Sequence, residues 1–273
     1  MRSFLQRPIG VFDSGLGGLT AVKQILKIMP NEDVIYFGDT GRVPYGTRSS
    51  ETILKYAKQD IEFLKSNNVK MIIAACGTVS SVAGNLGESL DIPFTGVLKP
   101  TAISAAAATK NKRIGIIGTT ATIRSGSYRK ELIQIDSSIE VYERDCPLFV
   151  PLVENGFIDD NDEVTRLVAQ RYLGDLKKAG IDTLIMGCTH YPIIRNILCK
   201  VMGENVTLID SGRETALYCA KILKQKELLS DNQKKGNCSF FVSDRVEGFS
   251  KTAGIFLGKD IKNEVKHINI DLY

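Results

Sequence analysis

The feature that most constrains the fold of this chain is a regular alternation of short β-branched runs with longer segments of helical periodicity. The first run, over residues 9–12, ends in a glycine-rich turn, and apolar residues then recur every three or four positions from Leu19 to Met29. Such alternation is typical of a parallel sheet with helices on both faces. It predicts strands over residues 9–12, 34–37, 70–75, 94–97, 113–118, 140–142, 183–186, 207–209 and 239–242, and helices near residues 19–29, 50–65, 78–86, 100–109, 121–134, 162–179, 191–202, 212–228 and 245–257.

Two stretches of the chain follow the same plan. Residues 71–78 and residues 183–189 each form an apolar strand that is followed by a small residue, a cysteine, a nearby threonine and a helical pattern. Residues 9–13 and 114–119 also resemble each other, because each strand opens into a small polar loop. We therefore predict two related α/β units: a first domain over residues 1–98, completed by residues 210–273, and a second domain over residues 99–209.

Composition places the chain among ordinary globular proteins. Apolar residues make up 43% and charged residues 24%, which excludes a disordered chain, a collagen-like fibre and a coiled coil. The net charge of +4, from 35 basic and 31 acidic residues, is too small and too scattered to predict nucleic acid or a membrane as the partner. No apolar run is long enough for a membrane span, and the polar N-terminus lacks the apolar core of a signal peptide. We therefore expect a cytoplasmic protein.

The six cysteines and two histidines limit the metal and disulfide chemistry. In a reducing compartment the cysteines are expected to be free thiols. No two of them form a C-x-x-C pair, and two histidines give little support for a zinc site. Cysteines that are neither cross-linked nor metal-bound are either core residues or reactive groups.

The loops at the carboxyl ends of the strands are the candidates for a functional site, because ligands of open parallel sheets bind there. In this chain each such loop is small, polar or reactive, and each follows an apolar strand. The candidate residues are Asp13, Ser14, Pro44, Tyr45, Gly46, Cys76, Gly77, Thr78, Thr119, Thr122, Cys188, Thr189 and His190.

Cys76 and Cys188 are the most informative of these residues. Each stands where a strand gives way to a helix, and the positive end of a helix stabilises a thiolate and lowers the pKa of a cysteine. Two thiols on opposite sides of a small substrate suit the inversion of a stereocentre, since one thiolate removes a proton from carbon and the other thiol returns one on the opposite face. The alternative is that both are buried core cysteines. The matched position in two repeats favours the chemical role.

Three neighbouring groups have both a chemical and a structural interpretation. His190 could set the protonation state of Cys188, or it could be a structural histidine with its hydrogen bonds satisfied. The carboxylate of Asp13 could receive an ammonium group or assist a thiol, and Asp13 and Ser14 could equally cap the following helix. The loop over residues 44–46 could offer backbone N–H groups to a carboxylate, or it could be an ordinary turn.

Taken together, these motifs resemble the bacterial glutamate racemases. The resemblance runs from about residue 8 to residue 257 and rests on several segments in the expected order. These segments are IGVFDSGLGGLT (9–20), YFGDT (36–40), PYG (44–46), ACGT (75–78), PLVENG (151–156) and GCTH (187–190).

The resemblance implies two flavodoxin-like, doubly wound domains that are related by pseudo-two-fold symmetry and enclose the active site in the cleft between them. It implies interconversion of L- and D-glutamate without pyridoxal phosphate or a metal, which supplies D-glutamate for peptidoglycan synthesis. We also expect a homodimer, since this is the commonest oligomer.

The resemblance also implies roles for individual residues. Cys76 would face the α-proton of D-glutamate, and Cys188 that of L-glutamate. Asp13 would support Cys76, and His190, together with Glu154, would support Cys188. The substrate would be held by Ser14, Tyr45, Gly46, Thr78 and Thr189, with Thr119 and Thr122 in addition.

One residue departs from the family's motif. The family usually has Asn after the first cysteine, where this chain has Gly77. The Asn side chain normally helps to bind polar groups of the substrate, so a water or a neighbouring side chain must replace it, or binding weakens by about 1–3 kcal/mol. Two alternatives therefore stay open: a cofactor-independent racemase of aspartate or another small amino acid, and a binding protein of the same fold without turnover.

Overall fold

The computed structural model describes residues 3–82, 86–258, 260–261 and 264–273, and these residues form two separate sheets. The strands are β1 (Ile9–Asp13), β2 (Val34–Gly38), β3 (Met71–Ala74), β4 (Phe94–Gly96), β5 (Arg113–Gly118), β6 (Glu140–Asp145), β7 (Thr183–Met186), β8 (Thr207–Asp210), β9 (Cys238–Val242) and β10 (Val265–His267).

Both sheets are parallel, and the order of four strands in the larger sheet is repeated in the smaller one. The six-stranded sheet has the order β10-β9-β2-β1-β3-β4, and the four-stranded sheet has the order β6-β5-β7-β8. The arrangement β2-β1-β3-β4 is therefore repeated as β6-β5-β7-β8, and β3 and β7 occupy equivalent positions. This repeat confirms the predicted α/β fold with two related, doubly wound units. The exact limits that we assign to the two domains stay a prediction.

The helices lie between the strands, as the alternation predicts. They are α1 (Leu19–Ile28), α2 (Ser50–Ser66), α3 (Gly77–Val82), α4 (Leu98–Ala108), α5 (Thr120–Arg124), α6 (Ser127–Ile135), α7 (Phe149–Glu154), α8 (Glu163–Lys178), α9 (Arg195–Met202), α10 (Ser211–Gln225) and α11 (Val246–Leu257). Short 3₁₀ helices cover Phe4–Gln6, Tyr45–Thr47, Leu86–Ser89, Tyr191–Ile194 and Ile270–Leu272. None of the helices within these described ranges is both long and apolar enough to cross a membrane.

Apolar side chains cover both faces of the central strands. In β1, Ile9 and Val11 pack into the core beneath α1, whereas Phe12 packs into the core on the opposite side, beneath α2. Alternate residues of a strand point to opposite faces, so a strand that is apolar throughout must be buried on both sides. This is why the short apolar runs of the sequence form central parallel strands.

The structure differs from the predicted elements at several places. The helix predicted over residues 121–134 is two helices, α5 and α6, because the backbone at Gly126 adopts a left-handed conformation with φ of 62° between them. The segment 191–202 begins with a 3₁₀ turn that contains Pro192, and only Arg195–Met202 is α-helical. The helix α7 and the edge strand β10 were not predicted. Part of the predicted helix 78–86, residues 83–85, lies outside the described residues.

The two halves pack directly against each other. One continuous apolar cluster contains Val11 of β1 and Met186 of β7, and α10 packs both on α1 of the first half and on α4 of the second. At the carboxyl ends of the strands the Thr20 hydroxyl donates a hydrogen bond of 2.9 Å to the carbonyl of Thr189. The loops that follow β1 and β7 are therefore held face to face.

Candidate active site

A cavity of about 470 Å³ lies between the two halves, where the carboxyl ends of the strands meet. It brings together almost all the residues that the sequence singles out, from both halves. The lining includes Asp13, Ser14, Pro44, Tyr45, Gly46, Cys76, Gly77, Thr78, Thr119, Glu154, Cys188, Thr189 and His190. Both cysteines therefore border one cavity, although they come from different sheets.

Asp13, at the end of β1, is a buried carboxylate with only 2% of its surface exposed. Burial raises its pKa, and the nearby His190 and backbone N–H groups of the following loop act in the opposite direction. One of these, the N–H of Gly15, donates a hydrogen bond of 3.0 Å to the carboxylate. The loop packs so tightly that a Cβ on Gly17 would lie 2.1 Å from Oγ1 of Thr189. A glycine is therefore required where this turn meets the opposite half.

Cys76 follows β3 and is buried next to the first turn. Its Sγ lies 3.5 Å from the hydroxyl of Ser14, to which the thiol donates. Burial, and then the negative charge of Asp13, raise the pKa of the Cys76 thiol to about 12. The expectation that the helix end lowers the pKa of this cysteine is therefore wrong, because desolvation and a neighbouring carboxylate outweigh the helix. Cys76 holds its proton at neutral pH.

Cys188 follows β7, at the position equivalent to that of Cys76, but its neighbours are different. Its Sγ lies 3.8 Å from Nδ1 of His190, and Nε2 of the same ring lies 2.9 Å from Oε1 of Glu154. Phe256 packs against the imidazole at right angles, with 5.3 Å between the ring centres. The thiol of Cys188, the imidazole of His190 and the carboxylate of Glu154 therefore contact one another in sequence, with the imidazole in the middle.

The pKa of His190 reflects this chain of contacts. Burial lowers it, but the hydrogen bonds to Cys188 and Glu154 outweigh burial and raise the pKa to about 10. The imidazole is therefore positively charged at neutral pH, next to Cys188. The carboxylate of Glu154 is partly exposed, with 39% of its side chain accessible at the edge of the cavity.

Gly77 lies at a close approach between the backbones of the two halves. A Cβ on this residue would lie 2.4 Å from the carbonyl oxygen of Gly187 and 3.8 Å from Cα of Cys188. Real Cβ atoms essentially never come within 3.0 Å of another heavy atom. The absence of a side chain after the first cysteine thus lets the two cysteine-bearing turns pack backbone against backbone.

Hydroxyl groups from both halves meet on another side of the cavity. Thr78 and Thr119 are hydrogen-bonded through their hydroxyls at 3.2 Å, which joins the β3–α3 turn to the loop after β5. Thr122 is the one candidate that the structure does not bring to the cavity lining. It lies behind Thr119, with their hydroxyls 3.0 Å apart, and therefore contacts the site only through that residue.

Tyr45 is held in place by a buried charged cluster that the sequence did not reveal. Its hydroxyl donates to the carboxylate of Asp39, and Arg42 lies 2.6 Å from Asp39 and 3.1 Å from Asp60. Asp39 and Asp60 are fully buried. Burial, with the charge of Asp39, raises the pKa of Asp60 well above its ordinary value. The cluster fixes the loop over residues 44–46 from beneath.

The sequence analysis also missed an apolar wall of the cavity. Pro147, Val150 and Pro151 line it, together with Val43 on the opposite side. Pro147 follows β6, and Val150, Pro151 and Glu154 lie on one face of α7. The sequence could have indicated this wall through strand β6. If the predicted strand had ended at Asp145 instead of residue 142, residues 146–154 would have followed it at the carboxyl edge of the sheet.

Comparisons with known proteins agree with this geometry. The family model described as Asp/Glu/Hydantoin racemase matches residues 12–219. The glutamate racemase of Geobacter metallireducens is 48% identical over 253 residues, which cover 92% of this chain and 93% of that protein. That of Thermoanaerobacter pseudethanolicus is 46% identical over 267 residues, covering 98% of this chain and 99% of that one.

Solved structures give the same result. Glutamate racemase isoform RacE1 from Bacillus anthracis matches with a TM-score of 0.91 at 38% identity, covering 96% of this chain and 97% of that chain. The enzyme from Francisella tularensis, solved in complex with D-glutamate, also matches with a TM-score of 0.91 at 38% identity, covering 98% of this chain and 100% of that chain. These matches confirm the resemblance carried by the motifs, and the chain belongs to the Asp/Glu/Hydantoin racemase family.

Proposed function

We propose that this protein is a glutamate racemase that interconverts L- and D-glutamate by proton transfer between the α-carbon and two thiols. The observation that carries the proposal is that Cys76 and Cys188, which follow equivalent strands of the two halves, border one cavity. Curated relatives that are 44–48% identical to this chain carry the name glutamate racemase, which supports glutamate as the substrate.

In the proposed reaction one thiolate takes the α-proton from one face of the substrate, and the electron pair of the C–H bond stays on carbon. The other thiol then gives its proton to the opposite face, which inverts the stereocentre. Cys76 acts on the D-enantiomer and Cys188 on the L-enantiomer. With a pKa of about 12, Cys76 is protonated, as its role as proton donor in the conversion of L- to D-glutamate requires. The imidazolium of His190 compensates the negative charge that Cys188 carries after it loses its own proton.

Residues around the thiols bind the substrate and stabilise the developing negative charge. Charge that forms on the α-carbon spreads into the α-carboxylate, and hydroxyl donors aimed at that group stabilise it most effectively in a cavity closed to water. Ser14, Thr78, Thr119 and Thr189 supply such hydroxyls. The carboxylate of Asp13 receives the ammonium group. The proposed reaction uses these side chains alone and needs neither pyridoxal phosphate nor a metal.

The cellular role follows from the reaction. D-Glutamate is a component of peptidoglycan, so we propose that the protein supplies it for cell-wall synthesis in the cytoplasm, as a homodimer. We further propose that residues 1–98 and 210–273 form one domain and residues 99–209 the other. The strands support this division, because those of the six-stranded sheet all lie in the first set, and β5, β6 and β7 lie in the second.

The proposal is tested by incubating the pure protein with each glutamate enantiomer in deuterium oxide, without added cofactor. Circular dichroism follows racemisation, and mass spectrometry follows incorporation of deuterium at the α-carbon. Cys76→Ala and Cys188→Ala should each lower racemisation by about 10²- to 10⁴-fold, since each removes a general acid–base group. Cys199→Ala is the matched control, because Cys199 lies on α9, outside the cavity lining. Full racemisation by either cavity variant would contradict the two-thiol mechanism.

Substrate identity is tested in parallel. Aspartate, or another small amino acid, is the alternative substrate, because Gly77 stands where the family usually has an Asn side chain that helps to bind the substrate. The kcat/KM values for D-glutamate and D-aspartate, measured under identical conditions, decide between them. A value for aspartate equal to or above that for glutamate would contradict glutamate as the substrate.

A further inference from the structure

A second cavity, of about 310 Å³, adjoins the first at Gly46, Thr47 and Thr120, which line both. We call it the basic mouth and define it by its lining. The lining residues are Gly46, Thr47, Arg48, Ser49, Ser50, Ile53, Val82, Thr120, Ala121, Arg124 and Ser125. This set contains two arginines and several hydroxyls but no carboxylate.

The two arginines come from opposite halves of the molecule. Arg48 directly follows the 3₁₀ helix Tyr45–Thr47, and Arg124 is the last residue of α5, which packs against that 3₁₀ helix. Both side chains are exposed. In the part of the chain that the structure describes, neither guanidinium takes part in an ion pair or a side-chain hydrogen bond. Their positive charges are therefore uncompensated by any contacting carboxylate there.

A different part of the central cavity adjoins a neighbour in which carboxylates outnumber cations. A third cavity, of about 240 Å³, adjoins it at Gly15, Leu16, Val43 and Glu154. It is lined by two carboxylates, Glu154 and Asp244, and by one cation, Arg245. The central cavity thus adjoins both an acidic and a basic neighbour, although the whole chain carries a net charge of only +4.

We propose that the basic mouth is the entrance through which the substrate's carboxylates are drawn into the cavity, with Arg48 and Arg124 as its anion-binding groups. The inference rests on the proposed function, because an amino acid with two carboxylates carries a net negative charge. A cleft lined by charge of one sign concentrates ligands of the opposite sign. Thr47 lines the central cavity and directly precedes Arg48 in the chain. The Debye length of about 8–10 Å sets the range over which the charges of the mouth act on a ligand.

The test is the double variant Arg48→Gln/Arg124→Gln. We expect its KM for D-glutamate at low ionic strength to rise about three- to ten-fold, with kcat within two-fold of the unsubstituted protein. The difference should disappear near 1 M salt, where the Debye length falls to about 3 Å. Arg48→Lys/Arg124→Lys keeps both charges and should restore most of the affinity. Arg171→Gln is the matched control, because Arg171 is an exposed arginine of α8 that lines none of the three cavities.

Calorimetric binding of glutarate separates a failure of this inference from a failure of the proposed function. Glutarate is a dicarboxylate with no α-amino group or stereocentre, so its binding requires no turnover. Its Kd should rise about three- to ten-fold in the double Gln variant and stay unchanged in Arg171→Gln, whether or not the protein racemises glutamate. Binding of glutarate that is equal in the two variants, undetectable in the unsubstituted protein, or independent of salt would overturn the inference.

Discussion

The contact between Gly77 and Gly187 yields the sharpest prediction about the geometry of the site. In Gly77→Ala the added Cβ would lie 2.4 Å from the carbonyl oxygen of Gly187, whereas ordinary contacts begin near 3.4 Å. One of the two turns must therefore retreat by about 1 Å, the difference between these two distances. Gly187 has little room, because a Cβ built on it would lie 2.8 Å from the carbonyl of Ile117 and 3.2 Å from the ring of Tyr128. The displacement must therefore fall on the turn that carries Cys76.

The size of the effect follows from that displacement. A misplacement of 1 Å in a catalytic group costs about 100-fold in rate, and overpacking costs about 1–3 kcal/mol of stability. We therefore expect kcat for glutamate racemisation to fall about 100-fold and the melting temperature to fall by a few degrees. Gly77→Asn should behave in the same way, because its Cβ meets the same carbonyl. Introducing the Asn that the family usually has at this position should therefore not raise the activity or the stability of this protein.

The assay is racemisation of D-glutamate by circular dichroism, together with thermal unfolding. Gly174→Ala is the control, since a Cβ there has no neighbour within 4 Å and alanine favours a helix over glycine by up to about 1 kcal/mol. It should keep full activity and the same or higher stability. If Gly77→Ala retains kcat within a few-fold of the unsubstituted protein, the close contact does not set the position of Cys76 and the reasoning is wrong.

Three further predictions concern the groups around the cavity. The pKa of His190, about 10 in the folded protein against an ordinary 6.5, means that the histidine contributes stability that is complete below about pH 6.5 and is lost as the pH rises through about 10. Titration of the imidazole signals by NMR measures this pKa, and His267→Asn assigns the signals to the two histidines. Glu154→Gln should lower the pKa of His190 and so narrow the pH range over which the histidine stabilises the protein, as measured by urea unfolding. A pKa near 6.5 for His190 would contradict the prediction. Alkylation of Cys76 by iodoacetamide, followed by mass spectrometry, should keep rising with pH without a plateau up to pH 10, because the pKa of this thiol is about 12; a plateau near pH 9 would show an ordinary thiol. Tyr45→Phe should cost about 1–3 kcal/mol in the free energy of unfolding, because it removes one hydrogen bond to the buried carboxylate of Asp39, which keeps Arg42 and Ser243 as its other donors; an unchanged free energy would mean that the hydroxyl is not needed there.

The positions of the candidate site residues were predictable because they depend on a local rule. Strand β7 was predicted with the limits that the structure has, and Cys188 follows it after one residue, Gly187. In a parallel sheet every strand has its carboxyl end at the same edge, so residues distant in sequence converge there. This rule places Asp13 and Cys76 at the edge of one sheet and Cys188 at the edge of the other, and the packing of the two halves then brings all three around one cavity.

The elements that were missed depend on contacts between distant segments or on very short structures. Helix α7 has six residues and contains Pro151, so its sequence is indistinguishable from a loop, yet it carries Glu154 to His190. The cluster of Asp39, Arg42 and Asp60 forms only because α2 packs over the strand ends. The close approach of Gly77 and Gly187 is likewise a contact between the two halves, and no local pattern encodes it.

The same fold position holds both thiols, but the two sulfurs have neighbours of opposite charge. The repeated strand order places Cys76 and Cys188 after equivalent strands, so a substrate between them would meet one thiol on each side. The loops then break this symmetry, because Cys76 lies near the carboxylate of Asp13 and Cys188 lies 3.8 Å from a charged imidazole. A reaction that moves one proton in and one proton out needs one sulfur with a proton and one without at the start of each turnover. The repeated fold therefore places the two sulfurs at equivalent positions, and the unlike loops give them different electrostatic surroundings, with a carboxylate near Cys76 and an imidazole near Cys188.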